Sequence, residues 1–544
     1  MTIAPRPSRE IDGKGRTVRE LLAGRKYSID YYQREYEWQR KQVAELIDDL
    51  AAKFLESHEE GNERSAVAEY GHYFLGSIIV SDKDGQKFII DGQQRLTTLT
   101  LLLIFLHHKL ADAEQKGQIA DLIFSQKYGK RSFNLDIPER AACMEALYKG
   151  EDFDGADASE SVANITDADK RTRASRTWKE RVQALAELGK DEDADGIKSW
   201  LRSQYAESIR ERKRGAAPQD FDLIGTEFHR WVRDHEDRLG LTASAEFARL
   251  IERDVAFYAR WYERLRRAAD ALTPGLERVH YNAQHNFTLQ YPVLLAPLRV
   301  EDDEAAALRK LRVVAAYLDI LIHRRIWNWR AIDYSTMQYA MFLVMRDIRG
   351  KSAPELAALL RQRLDAEAET FATNDRFRLH GMNGRQIHRL LARMTDYVET
   401  RSGMASRYAE YVQRGKKGYE IEHIWADQPE RHTDEFAHPS EFQEYRNRIG
   451  GLLLLPKSFN ASYGDLPYAE KREHYVGQNL LARSLHEKAY DHNPGFLRFI
   501  ERSGLPFRAH AEFRKADLDA RQALYQKLAE RIWNPAVLDE EVAS

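Results

Sequence analysis

The chain has 544 residues, too many for one ordinary hydrophobic core, so two or three domains are expected. Its 83 basic and 86 acidic residues nearly cancel, giving nucleic acid no global electrostatic attraction but leaving local patches open, and 43% hydrophobic content with 31% charged residues describes a globular chain. One cysteine, Cys143, excludes a disulfide framework or a CxxC zinc ribbon; the opening segment MTIAPRPSREIDGKGR has no apolar run of the signal-peptide kind, and the longest apolar run, Leu96 to Leu106, is too short to span a bilayer, so a cytoplasmic protein without a membrane partner is expected.

Along the chain, the segment Ser28-Ile-Asp-Tyr-Tyr32-Gln33-Arg34-Glu-Tyr-Glu-Trp38 crowds aromatic rings, amides and an arginine together, and a helical pattern follows from Lys41 to Phe54. Tyr70 to Val80, rich in β-branched and aromatic residues, predicts a strand. Asp82-Lys-Asp-Gly85 predicts a hairpin turn, and Gln86 to Ile90 the returning strand. The stretch Asp91-Gly-Gln-Gln-Arg95 then lies between that strand and a helix expected over Leu96 to Leu110. Such a junction gathers free backbone N–H groups and the positive end of a helix dipole, which favours anions and phosphates above all. Were the two segments adjacent, Arg34 and Arg95 could fork onto phosphates. Gln33, Gln93 and Gln94 could read base edges or sugar hydroxyls, Tyr32 and Trp38 could stack, and Asp91 could hold Mg²⁺ or orient a water. A hydrogen-bonded polar turn is an equally open reading. The Walker A pattern is absent.

Residues 131–375 carry long patterns of three- and four-residue apolar spacing, as in Ala245 to Arg267 and Ala305 to Ile326, and predict a helical scaffold. Gly150 to Asp169 is acidic and rich in small residues, and reads as an exposed loop. Four basic clusters, Lys170 to Arg176, Arg210 to Arg214, His323 to Arg330 and Arg414 to Lys417, read first as solvated faces. The third interleaves Trp327 and Trp329 with arginines; core tryptophans with outward arginines are the expected arrangement.

The last third contains Tyr419-Glu-Ile-Glu422-His423-Ile, then Tyr445-Arg-Asn447-Arg-Ile-Gly450-Gly451-Leu-Leu-Leu-Leu-Pro-Lys-Ser-Phe-Asn460, then Lys471. An acid beside a histidine closes one apolar strand, and an asparagine thirty-seven residues later closes a second. That is the layout of a ββα-metal (HNH) nuclease. Glu422 and Asn460 would be oxygen ligands for a hard cation, Mg²⁺ or Mn²⁺, and His423 would take a proton from the attacking water. His432, His438 and His474 read as surface or capping residues.

The stretches YQREYEW and IIDGQQRLTTLTLLL together resemble the N-terminal domain of GmrSD-type modification-dependent restriction endonucleases, a family that includes an SspE-like, phosphorothioate-sensing branch. The EHI, RIGGLLLL, Asn460 and Lys471 elements resemble that family's C-terminal nuclease domain. The resemblance implies a ParB/sulfiredoxin-like α/β domain over 1–130 and a helical domain with an HNH motif over 376–544; with the helical pattern of 131–375 between them, an α+β, mostly helical protein is expected. It implies an antiphage restriction enzyme that nicks or cuts phosphorothioate- or otherwise modified DNA under control of a nucleoside triphosphate, GTP or another. Asp91 and Arg95 would then serve triphosphate hydrolysis, and Tyr32, Gln33, Arg34, Gln93 and Gln94 nucleotide binding or sensing. One departure stands out: Gly451 occupies the place of an asparagine that braces the histidine loop in the family, and Asn447 is the residue able to compensate. A DNA sensor with an inactive nuclease, an RNase, and a homo-oligomeric assembly all remain open.

Overall fold

A computed structural model describes residues 13–29, 38, 40–83, 86–127, 130–151, 165–211, 213, 215–413, 415 and 418–543. The chain divides into two compact units, Met1–Lys179 with His235–Glu252, and Glu180–Asp234 with Arg253–Ser544. Both are rich in helix, and strand among the described residues is confined to three small sheets, so the chain is α+β and mostly helical. No helix among the described residues is long and apolar enough to cross a membrane.

In the first unit, strands β1 (Tyr27–Ile29), β2 (Ile79–Lys83), β3 (Gln86–Asp91), β4 (Phe124–Lys127), β5 (Lys130–Phe133) and β6 (Leu135–Asp136) form two sheets. The larger has the order β2-β3-β1-β6, with β1 parallel to both β3 and β6 and β2 antiparallel to β3. The β1–β3 register, ending at Ile29↔Ile89, brings the carboxyl ends of these two strands to the same sheet edge. Strand alternation buries Ile89 and exposes Ile90, and Ile89 packs with Leu22, Tyr27, Leu96, Leu99 and Leu135.

Two sequence expectations shift here. The strand expected from Tyr70 begins only at Ile79. Gly76 adopts φ +88°, outside the strand region, and the Arg95 guanidinium fills the place a Cβ would take, with Nη1 at 2.0 Å. Arg95 Nη1 donates to the Leu75 carbonyl at 2.8 Å, so that carbonyl serves a side chain and not a ladder. The helix starts earlier than expected, running over Gln93–Lys109. Gly92, at φ 92°, makes the turn in the left-handed region, where a Cβ would lie 2.9 Å from Ile78 Cγ1. DGQQR is therefore divided: Asp91 ends β3, Gly92 turns the chain, and Gln93 to Arg95 form the first helical turn. The hairpin register Lys83↔Gln86 brackets residues 84 and 85, which lie outside the described residues, as do most of the expected acidic loop (152–164) and the Tyr32–Arg34 segment.

The second unit is built around the Glu304–Trp327 helix, within one residue of the expected bounds at each end. It is buried along most of its length. Asp319 on this helix lies 3.0 Å from His323 Nδ1, and accepts hydrogen bonds from Trp533 Nε1 at 3.1 Å and Arg393 Nη2 at 3.1 Å. Burial would raise its pKa, but Arg393, His323 and Arg278 outweigh that and hold the carboxyl well below its usual range. The two tryptophans of the third basic cluster separate. Trp327 is buried and stacks on Phe377, whereas Trp329 is exposed, at positive φ, with the Arg378 guanidinium 5.4 Å over its ring. Parts of the Arg210–Arg214 and Arg414–Lys417 clusters lie outside the described residues.

Candidate functional site

The Glu422–His423 element folds as strand β7 (Tyr419–His423), antiparallel to β8 (Leu452–Pro456), with His423 opposite Leu452 and Glu422 opposite Leu453. All four leucines of β8 are buried, and the helix Lys457–Tyr463 follows the strand directly. Leu453, Leu455 and Phe459 join Ile424, Trp425 and Tyr475 in one apolar cluster that carries the two strands and the helix. The turn entering β8 is clamped by the helix Lys515–Ile532. Gly450 N donates to Gln522 Oε1 at 2.9 Å, and Tyr525 OH donates to the Leu452 carbonyl at 2.9 Å. A Cβ on Gly450 would lie 2.4 Å from the Gln522 backbone nitrogen, so glycine is required there by close approach.

At position 451 a Cβ would stand 3.2 Å from both the Arg446 carbonyl and Leu518 Cδ1. Any side chain there would have to press on both. Asn447 meets the histidine instead: its Nδ2 donates to the Gln443 carbonyl at 2.8 Å, which turns its Oδ1 toward His423 Nε2, 2.9 Å away. An amide oxygen can only accept, so His423 carries its proton on Nε2 and leaves Nδ1 as the basic nitrogen. Burial, reinforced by the nearby Arg446 charge and opposed by the Asn447 bond, pushes the imidazole pKa down to about 4. The ring is therefore neutral at neutral pH and able to accept a proton.

Glu422, next along the strand, is gripped by a different element. Lys471 Nζ, on the helix Tyr468–Tyr475, donates to its Oε1 at 2.7 Å and to the His423 carbonyl at 2.8 Å. Tyr475 OH reaches the same carboxylate oxygen at 3.4 Å. Burial pushes the Glu422 carboxyl up and the Lys471 amine down, and each partner's charge opposes the other's shift. Asn460 donates Nδ2 to the Ile421 carbonyl at 3.2 Å; its buried Oδ1 has no partner among the described residues. Among the described residues no group of three or more His, Cys, Asp and Glu side chains is placed to hold a metal. The oxygen donors Glu422 and Asn460 suit a hard cation, and the orphaned Asn460 oxygen wants a positive partner. Glu422, however, already holds an ammonium. The donor set fits a divalent cation by exchange with Lys471.

Tyr475 and Arg446 escaped the sequence reading. Tyr475 lies one helical turn beyond Lys471, a spacing that places both on one face, and Arg446 immediately precedes Asn447. Replacing Asn447 by alanine is expected to reduce any hydrolysis that depends on His423 by about 10- to 100-fold through turnover, with little change in KM, as for other groups that orient a functional side chain. Asn447→Asp, which keeps the acceptor, is expected to retain more activity than alanine; steady-state kinetics of both variants is the check.

In the first unit the structure brings Asp91, Gln93, Gln94 and Arg95 to one strand–helix junction. Asp91 is exposed, Gln93 buried and Gln94 half-buried. Arg95 Nη2 stands 3.8 Å from Asp91 Oδ2, and its Nη1 is spent on Leu75. Tyr32, Gln33 and Arg34 lie outside the described residues, so the structure does not place them against this junction.

Comparison with known families assigns both regions. Residues 18–232 match the GmrSD restriction endonuclease N-terminal domain, and residues 365–528 match the GmrSD restriction endonuclease C-terminal domain. No curated protein matches the chain. The two matches occur in one chain, span the junction at Asp91 and the strand pair at Glu422–His423, and together cover most of its length. The chain belongs to the GmrSD restriction endonuclease family.

Proposed function

We propose that the chain is a DNA endonuclease of the ββα-metal (HNH) type, whose cutting centre at His423 is governed by a nucleoside triphosphatase and modification sensor at Asp91 to Arg95. The observation that carries the nuclease reading is the fixed tautomer of His423: Asn447 holds Nε2–H, and burial keeps the ring neutral. Nδ1 can then take a proton from a water attacking a phosphodiester, while the β7–β8 pair and the following helix hold the ring's neighbours rigid. Glu422 and Asn460 would hold Mg²⁺ or Mn²⁺, which when bound supplies charge neutralisation at the scissile phosphate. Arg446, half-buried and close enough to act on the imidazole, would add positive potential where a phosphate would dock. The sheet β2-β3-β1-β6 is the part read as ParB/sulfiredoxin-like, and its β1 and β3 ends share an edge, the usual place for a ligand among parallel strands. There Asp91, Arg95, Gln93 and Gln94 would meet GTP or another triphosphate. Tyr32, Gln33 and Arg34 would complete the cleft and its recognition of phosphorothioate- or otherwise modified DNA. In this reading 1–130 senses, 131–375 supports and 376–544 cuts.

The test is cleavage of phosphorothioate-modified and unmodified plasmid in Mg²⁺ or Mn²⁺, with and without each triphosphate. Wild-type rates are expected to change at least about tenfold with nucleotide or modification, a coupling of ~1.4 kcal/mol. Asp91→Ala is expected to lose triphosphate hydrolysis and that response together. Identical wild-type rates in every condition would remove the sensor and leave a free-running nuclease.

A further inference from the structure

We infer that Lys471 is the resident counter-cation of Glu422, and that a divalent metal ion reaches this carboxylate only by displacing the lysine ammonium. The inference rests on the metal-nuclease reading of the β7–β8 site and adds a mechanism of control to it.

The pair is buried to an unusual degree: the side chains of Lys471 and Glu422 are 1% and 4% exposed. A carboxylate withdrawn from water needs a cation beside it, because the desolvation cost of the bare charge is large. Lys471 supplies one at 2.7 Å. Its second bond, to the His423 carbonyl at 2.8 Å, ties the same ammonium to the residue that carries the basic imidazole. Tyr475 completes the cage from one helical turn away. Arg446 and Asp465 also act on the lysine, the first unfavourably and the second favourably. Glu422 therefore already has its positive partner in the metal-free fold.

A divalent ion added beside an unmoved Lys471 would face a like charge within the same buried space, so the two cations are alternatives at one carboxylate. Sites whose ligands lack an internal partner fold with their metal; this one closes on its own side chain. Metal loading is accordingly weakened by the fraction of time Lys471 is away from Glu422, the usual reduction when a binding-competent state is a minor one. Anything that moves the helix Tyr468–Tyr475 changes that fraction, and releases the His423 carbonyl at the same time.

The test uses the full-length protein and two variants, Lys471→Met and Lys471→Gln. The glutamine keeps a hydrogen-bond donor for the Glu422 and His423 oxygens without the charge, and serves if the methionine protein does not fold. Mn²⁺ affinity is measured by titration with paramagnetic detection, and thermal stability is followed across Mn²⁺ concentrations. The wild type is expected to show a Tm that barely responds to Mn²⁺. The variant is expected to melt lower without metal, to recover as Mn²⁺ is added, and to bind Mn²⁺ at least about tenfold more tightly. Combining the substitution with Glu422→Gln should abolish the Mn²⁺-dependent recovery. A variant that binds Mn²⁺ no more tightly than wild type, and whose stability ignores Mn²⁺, would overturn the inference even if the wild type cuts DNA. Tighter binding in the variant, beside a wild type that cleaves no nucleic acid, would keep the counter-cation role and defeat the nuclease reading.

Discussion

Replacing His423 by alanine is expected to lower metal-dependent DNA nicking by about 10²- to 10⁴-fold, the range over which a positioned general base contributes. The expectation follows from three features that have no other evident use. The imidazole is held in one tautomer by an amide whose own orientation is locked by Gln443. Burial keeps it neutral. It closes the strand whose preceding residue is the buried carboxylate Glu422. Triphosphate hydrolysis, proposed for Asp91 and its neighbours, should survive the substitution and so serves as a check that the protein is folded. Supercoiled plasmid incubated with Mg²⁺ or Mn²⁺ gives the readout. Undiminished nicking by His423→Ala would place the cutting centre elsewhere in the chain.

The second large effect concerns stability. Gly450→Ala is expected to cost about 3 kcal/mol, the upper end of what forcing extra atoms into a packed core costs. A Cβ there would stand 2.4 Å from the Gln522 nitrogen and 2.8 Å from both the Gln522 Cα and the Leu518 carbonyl oxygen. All of these are backbone atoms of the Lys515–Ile532 helix, which cannot rotate aside as a side chain can. That helix also receives the Gly450 N–H and supports β8 through Tyr525, so displacing it disturbs the strand opposite His423. Gly451→Ala, with nearest contacts at 3.2 Å, is expected to cost under about 1 kcal/mol. Urea midpoints read from tryptophan fluorescence, with Trp425 in the affected cluster, compare the two. Equal midpoints for both variants would contradict the packing described.

The contrast between these neighbouring glycines bears on the departure at position 451. A side chain at 451 would press on the Arg446 carbonyl and Leu518, whereas Asn447 reaches the histidine from the end of the preceding helix. The contact with the imidazole is supplied by Asn447, four residues before Gly451.

Much of the architecture is legible from local pattern. The Glu304–Trp327 helix shows in the sequence because a long 3.6-residue apolar period has few rival conformations. The β7 and β8 strands show because short apolar runs end in an acid–histidine pair and in a proline. The DGQQR junction shows because a turn glycine separates a strand-like run from a helix-like one. Local pattern also marks Glu422, His423 and Asn460 as residues with chemistry to offer, and the family resemblance adds Asn447 and Lys471. It does not show what each of them touches. The strand expected from Tyr70 is cut back to Ile79 by Arg95, a residue far along the chain that takes the Leu75 carbonyl and the space over Gly76. Lys471 and Glu422 are separated by forty-nine positions, yet they form one buried ion pair. Periodicity and turn chemistry act over a few residues and so determine the elements and the residue types they display. The pairing of buried charges, the orientation of an amide and the need for glycine at 450 depend on which distant groups are brought within bonding distance, and only the tertiary structure decides that.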